Sequence, residues 1–172
     1  MRPLMMLALV VCSALARPAS PVAAEPGSAP DRDALARELR GAWLPLESGM
    51  TMGRSEGTPI SAKYEIDNGT FQLSVYTARG DRLSEVIVDY SVGTIAKVDV
   101  LTDSGNLAAA HAQTEAMARA TRTLEAATAE AVTTNPGFRA VSATPRLSDG
   151  HPVAEIVLVN GTDWQVTHAR LD

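Results

Sequence analysis

The side chains of this sequence that could do acid–base or metal chemistry are three histidines and a group of aspartates at turns. His111 has no second histidine one helical turn away, and His151 directly follows an Asp149-Gly150 turn. His168 alternates with apolar residues of the last predicted strand. A metal site needs two or three such side chains to converge with carboxylates, and the spacing does not show this. We therefore predict no metal site, no catalytic residue and no cofactor.

Catalytic signatures are absent from the sequence as well. It contains no His-Glu-x-x-His, no Gly-x-Ser-x-Gly and no phosphate-binding glycine loop followed by lysine. Asp67 and Asp81 lie at predicted turns, where such side chains bond the backbone. The single cysteine, Cys12, falls in an amino-terminal segment that we expect to be removed, which excludes disulfides and cysteine nucleophiles from the mature chain. The sequence therefore predicts a protein that is not an enzyme.

The first 24 residues have the layout of a secretory signal peptide. Arg2 precedes an apolar run at 4–15, which is shorter than the roughly 20 residues that span a bilayer. We expect cleavage after Ala24, with Ala16 as the alternative, and the first choice leaves a net charge of −7. An acidic chain without a basic patch is a poor partner for nucleic acid or an anionic membrane. We predict a periplasmic or secreted protein that does not span the membrane after signal removal.

The rest of the chain contains two copies of one pattern, which is a helix, a Gly/Pro stop and strands joined by tight turns. Apolar and polar residues alternate in each strand, as expected when one face of a sheet is wet. A glycine in each turn supplies the positive φ that a tight hairpin needs. The predicted strands are 60–66, 71–77, 83–89 and 95–101 in the first copy and 138–147, 153–159 and 164–172 in the second. Matching the turns of the two copies predicts that 71–77 superposes on 153–159 and that Asp89 and Asp172 close equivalent strands.

Two helices are predicted before the first strands. Asp31 or Asp33 is expected to cap a helix that continues to residue 43. A second helix is predicted at 46–56. Gly49 and Gly53 each weaken it by about 1 kcal/mol relative to alanine, so we expect them to pack closely on a neighbour.

A long alanine-rich helix is predicted from residue 103 or 104 to Val132, and its first turns are expected to link the two copies. Trp43 and Trp164 are expected to lie in the core. The predicted fold class is α+β, with two tandem modules that each pack a helix on an antiparallel sheet of three to four strands. The predicted segments are a signal peptide at 1–24, a flexible leader with a short helix at 25–43, and modules at 44–103 and 104–172.

Several of these segments resemble a PepSY-type domain. The resemblance is carried in the first copy by GTPISAKYEI at 57–66, QLSVYT at 72–77 and EVIVD at 85–89. In the second copy it is carried by LEAA at 124–127, NPGFRAV at 135–141 and DGHPVAE at 149–155. It implies a helix packed on an antiparallel sheet and an exported or envelope location in bacteria. In some members it also implies a place in propeptides that restrain secreted metallopeptidases.

The function that we expect is that of a non-catalytic exported or periplasmic binding module. It would hold a protein or peptide partner of the cell envelope, such as a peptidase, against its sheet or along an open sheet edge. The candidate partner-binding residues are Asp89, His151 and Tyr76, whose ring is expected to be exposed on the face opposite Leu73. The alternative is an envelope protein that binds a small molecule or a metal in the groove between the modules, with His168 among the contacts. A hydrolase is the least favoured hypothesis.

Overall fold

A computed structural model describes residues 28–172, which form four helices and one sheet of seven strands. The predicted signal peptide and the start of the predicted leader lie outside the described residues. The helices are α1 (Ala29–Leu39), α2 (Leu46–Gly53), α3 (Ser104–Ala118) and α4 (Leu124–Thr134). The strands are β1 (Thr58–Asp67), β2 (Thr70–Arg79), β3 (Arg82–Asp89), β4 (Thr94–Val100), β5 (Arg139–Ser148), β6 (His151–Asn160) and β7 (Asp163–Arg170). Within this part of the chain no helix has the length and apolar character needed to cross a bilayer.

The fold is α+β, and all seven predicted strands are confirmed, with bounds that differ by at most two residues. The strand order is β4-β3-β2-β1-β5-β6-β7, and every neighbouring pair is antiparallel. We expected each half of the chain to carry a sheet of its own, and this is wrong. β1 pairs with β5 through Ala62 with Ala143 and Lys63 with Ser142, so the two halves share one sheet.

The two halves repeat each other with a constant shift of 81 residues, so that Asn68 corresponds to Asp149 and Gly80 corresponds to Gly161. Asn68 and Asp149 have φ angles of 48° and 51°, and the two glycines have 58° and 61°. The strand registers follow the same shift, including a break at 59–61 in β1 and at 140–142 in β5. The repeated pattern in the sequence is therefore a repeated geometry.

This shift corrects two expectations about equivalent residues. We expected 71–77 to superpose on 153–159, but the pairs Ile66–Phe71 and Leu147–Pro152 place 71–77 on 152–158. Asp89 and Asp172 were expected to close equivalent strands. The shift instead makes Asp89 the counterpart of Arg170.

The helices α2 and α4 pack on one face of the sheet, which we call the front face. Gly49 and Gly53 lie on α2 where it meets β2, and a Cβ at Gly53 would lie 2.8 Å from Val75 Cγ1. A Cβ at Gly49 would overlap Leu73. The predicted close packing of both glycines is confirmed. The helix itself ends at Gly53, three residues earlier than predicted.

The helix α3 lies on the opposite face, which we call the back face. Its residues Leu107 and Ala110 pack with Ile60, Tyr76 and Leu83 in a cluster separate from the main core. The bulge at Ile60 directs its side chain to the back face. Ala62, two residues further along the strand, belongs to the front core. One short layer of α3 therefore covers part of the back face.

The predicted single helix from residue 104 to Val132 is wrong, because the chain breaks between α3 and α4. At the break the N–H groups of Thr121 and Arg122 donate to the carbonyl of Leu171, at 2.7 and 2.9 Å. The side chain of Thr123 then caps α4 by accepting from the N–H of Ala126 at 3.2 Å. The break lets the chain pass from the back face to the front face.

Two further expectations about single residues are corrected. Ser28, rather than Asp31 or Asp33, precedes α1, and its N–H and hydroxyl donate to Asp31 Oδ2 at 3.1 and 2.7 Å. Trp43 is 62% exposed rather than buried, and its indole N–H donates to the carbonyl of Ser91. Trp164 is half-buried and packs against the core, as expected.

Candidate functional site

The three residues predicted to contact a partner lie apart from one another, and each has its own local environment. Tyr76 is on the back face of β2, where α3 covers it, so the expected full exposure is wrong. Its hydroxyl donates to Glu85 Oε1 at 3.2 Å, and Lys63 Nζ lies 5.6 Å from the ring centroid. Burial, followed by the charge of Glu85, raises the pKa of Tyr76 and keeps the hydroxyl protonated.

A polar network surrounds Tyr76 on the back face. Glu65 accepts from Lys63 Nζ at 2.6 Å and from Ser74 Oγ at 2.7 Å. Ser74 is fully buried and also accepts from Gln72 at 3.0 Å. Each polar group here has a partner within the network. The network therefore fixes these side chains in place and leaves none of them free to react.

Asp89 shapes the turn between β3 and β4. Its Oδ1 accepts from the Ser91 hydroxyl at 2.5 Å, from the Ser91 N–H at 2.8 Å and from the Val92 N–H at 3.3 Å. The hydrogen bond from the Ser91 hydroxyl, then the one from its backbone, lowers the pKa of Asp89. These contacts describe a turn-forming aspartate.

His151 belongs to an exposed cluster at the start of β6 and the end of the chain. Its Nδ1 lies 2.7 Å from Asp172 Oδ2 and 3.1 Å from Arg170 Nη2. Two nitrogens of Arg170 donate to the Asp172 carboxylate, both at 2.9 Å. Arg170 first and His151 second lower the pKa of Asp172 to about 2. The cluster therefore keeps the Asp172 carboxylate charged at pH values above about 2.

The other histidines do not extend this cluster into a metal centre. His168 Nε2 lies 3.4 Å from Glu155 Oε2 on the neighbouring strand, and His111 lies exposed on α3. Across residues 28–172, no three His, Cys, Asp or Glu side chains are grouped so that they could hold a metal ion. The two halves share one sheet through the pairing of β1 with β5, and a small-molecule or metal site in the groove between them stays a prediction.

The two outer strands of the sheet differ in how open their edges are. Where β3 pairs with β4, the register shifts between Ile87 and Val88 of β3, which places Ala96 of β4 in a bulge. The same strand carries Lys97, which is paired with Asp99 at 2.7 Å. Bulges and lysines on edge strands hinder the addition of another strand. The β4 edge is therefore blunted.

The β7 edge has neither a bulge nor a lysine. β7 pairs with β6 without a register break from Asp163 to Arg170, and it contains no lysine or proline. The residues that flank the two-residue turn, Asn160 and Asp163, form a hydrogen-bonded pair, and such pairs alternate along the ladder. The N–H of Leu171 donates to Pro152 at 2.9 Å, which fits this alternation.

The alternation leaves four residues of β7 with backbone N–H and C=O groups that point away from β6. They are Trp164, Val166, His168 and Arg170. The side chain of Val166 is 50% exposed on the back face, next to the buried Val157. Sequence reasoning placed this strand but not its edge position. No local signal in the sequence marks β7 as an edge strand, because the edge is set by which strands pair.

No protein-family model matches the chain, and no curated protein or solved structure is significantly similar to it. The resemblance to PepSY-type domains therefore stays a prediction from the sequence.

Proposed function

We propose that this protein is a non-catalytic binding module of the cell envelope that holds an extended segment of a protein partner along β7. The observation that carries the proposal is the difference between the two edges. The ladder of β7 is unbroken, whereas β4 is closed by a bulge and a lysine. The signal-like amino-terminal sequence supports an exported location.

The backbone of β7 supplies the affinity in this proposal. A docked strand would exchange hydrogen bonds with the four outward-facing residues and place its own side chains beside them. Val166 offers an exposed apolar contact at the middle of the edge, and His168 and Arg170 offer polar contacts toward its end. An apolar residue opposite Val166 would then gain cross-strand contacts.

The repeated geometry supports a second part of the proposal, that the chain consists of two tandem PepSY-like modules. Under the shift of 81 residues, α2 corresponds to 127–134 of α4, and each helix packs on the front of its own strands. The inner edges of the two modules, β1 and β5, cover each other. The partner would therefore bind at an outer edge of the sheet. A secreted peptidase is one partner of the expected class.

The test compares two edge valines that are almost equally exposed, Val166 at 50% on β7 and Val100 at 53% on β4. Peptides are selected on the purified protein from a display library of random extended segments. Val166→Lys should abolish binding of the selected peptides, because a lysine on the edge hinders strand addition. Val100→Lys is the matched control and should retain binding.

Two results would contradict the proposal. One is a selection that yields no peptide, and the other is a set of peptides that bind the Val166→Lys variant as well as the original protein. Both variants change an exposed residue, so their stability should stay within about 0.5 kcal/mol of the original. Thermal unfolding of each variant checks this.

A further inference from the structure

A cleft of about 430 Å³ opens at one end of the first half, between residues 54–59 and the turn that joins β2 to β3. Its lining includes Arg54, Arg79 and the hydroxyl-bearing Thr58. None of the lining residues is acidic. This composition is unusual in a chain whose net charge is −5.

Both guanidinium groups are held in place by the protein. Arg54 Nε donates to Glu125 Oε1 at 2.6 Å, and Glu125 is only 9% exposed. Arg79 donates to the carbonyl of Ser55 through one terminal nitrogen. An arginine has five N–H donors, so each side chain keeps several for a ligand after it is fixed. Two positioned guanidinium groups match the planar geometry of phosphate and carboxylate oxygens.

Two residues that line the cleft, Gly57 and Ala78, lie in close backbone contact. A Cβ on Gly57 would lie 2.8 Å from the carbonyl oxygen of Ala78, so only glycine fits there without a shift. The start of β1 therefore packs closely on the end of β2 beside the cleft.

The second half of the chain provides an internal comparison. Under the shift of 81 residues, Arg54 corresponds to Asn135, Arg79 corresponds to Asn160 and Gly57 corresponds to Phe138. Phe138 is partly buried against the core, and Asn135 Oδ1 accepts from Gln165 at 2.6 Å. The turns at Gly80 and Gly161 have nearly equal φ angles, 58° and 61°, so this turn does not require an arginine at position 79. The first half therefore carries two cationic side chains where the second half carries two neutral amides.

We infer that this cleft binds a small organic ligand through a dianionic oxyanion of the phosphate-monoester type. The two guanidinium groups bind the oxygens, and the Thr58 hydroxyl is a further donor. The volume lies in the range of roughly 300–1,000 Å³ typical of small-molecule sites, so the ligand carries an organic group besides the anion. This site is separate from the β7 edge and does not depend on the function proposed for that edge.

The test is isothermal titration of the purified protein with phenyl phosphate, inorganic phosphate, phthalate and phenol at about 0.15 M salt. Phenyl phosphate should bind more tightly than inorganic phosphate, and phenol should not bind. Arg79→Asn, which installs the residue of the second half, should weaken binding by about tenfold or more, the loss expected for a charged hydrogen bond. Arg54→Lys keeps a positive charge beside Glu125 but loses the planar guanidinium with its paired N–H donors. This variant should also bind phenyl phosphate more weakly.

Arg82→Asn is the matched control, because Arg82 pairs with Arg79 across the same turn but does not line the cleft. Its affinity for phenyl phosphate should equal that of the original protein. An equal loss in Arg82→Asn and Arg79→Asn would overturn the site, since it would indicate only general charge attraction. Absence of binding by all four probes, or binding of phthalate alone, would also overturn the proposal. Circular-dichroism melting confirms that each variant is folded.

Discussion

Tyr76 connects the sheet to the helix on its back face. Its ring packs with Ile60, Leu83 and Ala110, and its hydroxyl is bonded to Glu85. A side chain in this position contributes to folding through buried apolar area and through one hydrogen bond to a charged group. The ring is only partly exposed, so little of it is accessible to a partner.

The first prediction concerns that side chain. Tyr76→Ala should lower the free energy of unfolding by about 2–3 kcal/mol, because it opens a cavity under α3. Tyr76→Phe is the control and should cost about 1–2 kcal/mol, because it removes only the hydrogen bond to Glu85. Urea denaturation measures both. If Tyr76→Ala is as stable as the original protein, the ring is not part of the back-face cluster and is available to a partner.

A second residue-scale prediction follows from the ion pair of Asp172. The folded pKa of about 2 lies below the unfolded value of about 3.9, so the pair stabilises the fold fully above pH ~4. This stabilisation is lost as the pH falls through about 2. Asp172→Asn should therefore lower the urea midpoint at pH 7, and the difference from the original protein should vanish near pH 2.

The Arg170→Gln background serves as the control for this titration, because Arg170 is the main cause of the low pKa. In that background the effect of Asp172→Asn at pH 7 should be smaller. A difference between the original protein and Asp172→Asn that stays constant from pH 7 to pH 2 would show that the ion pair does not contribute.

At the scale of elements, the strands and hairpins were predictable because their signals are local. Glycines at positions such as Gly69 and Gly150 have positive φ, and alternating side chains mark each strand. The pairing of β1 with β5 joins residues about eighty positions apart, and no local signal encodes it. The exposure of Trp43 and the coverage of Tyr76 were mispredicted for the same reason. Both depend on where distant segments pack.

The helix α2 provides the prediction at this scale. Gly53→Ala raises helix propensity by about 1 kcal/mol, yet its Cβ would lie 2.8 Å from Val75 Cγ1. The overlap should prevail and reduce stability by about 1–3 kcal/mol, measured by thermal unfolding. Gly41→Ala is the control, because its Cβ would meet only Glu38 O at 3.4 Å, an ordinary contact, and should be near neutral. A stabilised Gly53→Ala variant would mean that α2 packs less closely on β2.

At the scale of the whole molecule, the halves are joined by two layers. One is the pairing of β1 with β5, and the other is the front core, which contains residues of both halves together with the contact between α2 and α4. The front core is continuous across the pairing of the halves. Unfolding of one half would therefore expose apolar surface of the other, which favours a single cooperative transition.

The chain carries one tryptophan in each half, which makes this cooperativity measurable. Fluorescence of Trp43 alone, in a Trp164→Phe variant, and of Trp164 alone, in a Trp43→Phe variant, should report the same urea midpoint after correction for each variant's own stability. Circular dichroism of each variant provides that correction. Two separate midpoints within one variant would show that the halves unfold independently.

The pairing of β1 with β5 has a further consequence. Ala62 pairs with Ala143, and these two residues are also each other's counterparts under the shift of 81. A contact in which a residue meets its own equivalent is isologous, the geometry of a twofold homodimer. The local twofold axis passes through this alanine pair, and α3 occupies the connection between the two pseudo-subunits. The pairing of β1 with β5 therefore has the symmetry of a twofold interface within one polypeptide, and β4 makes one end of the sheet different from the other.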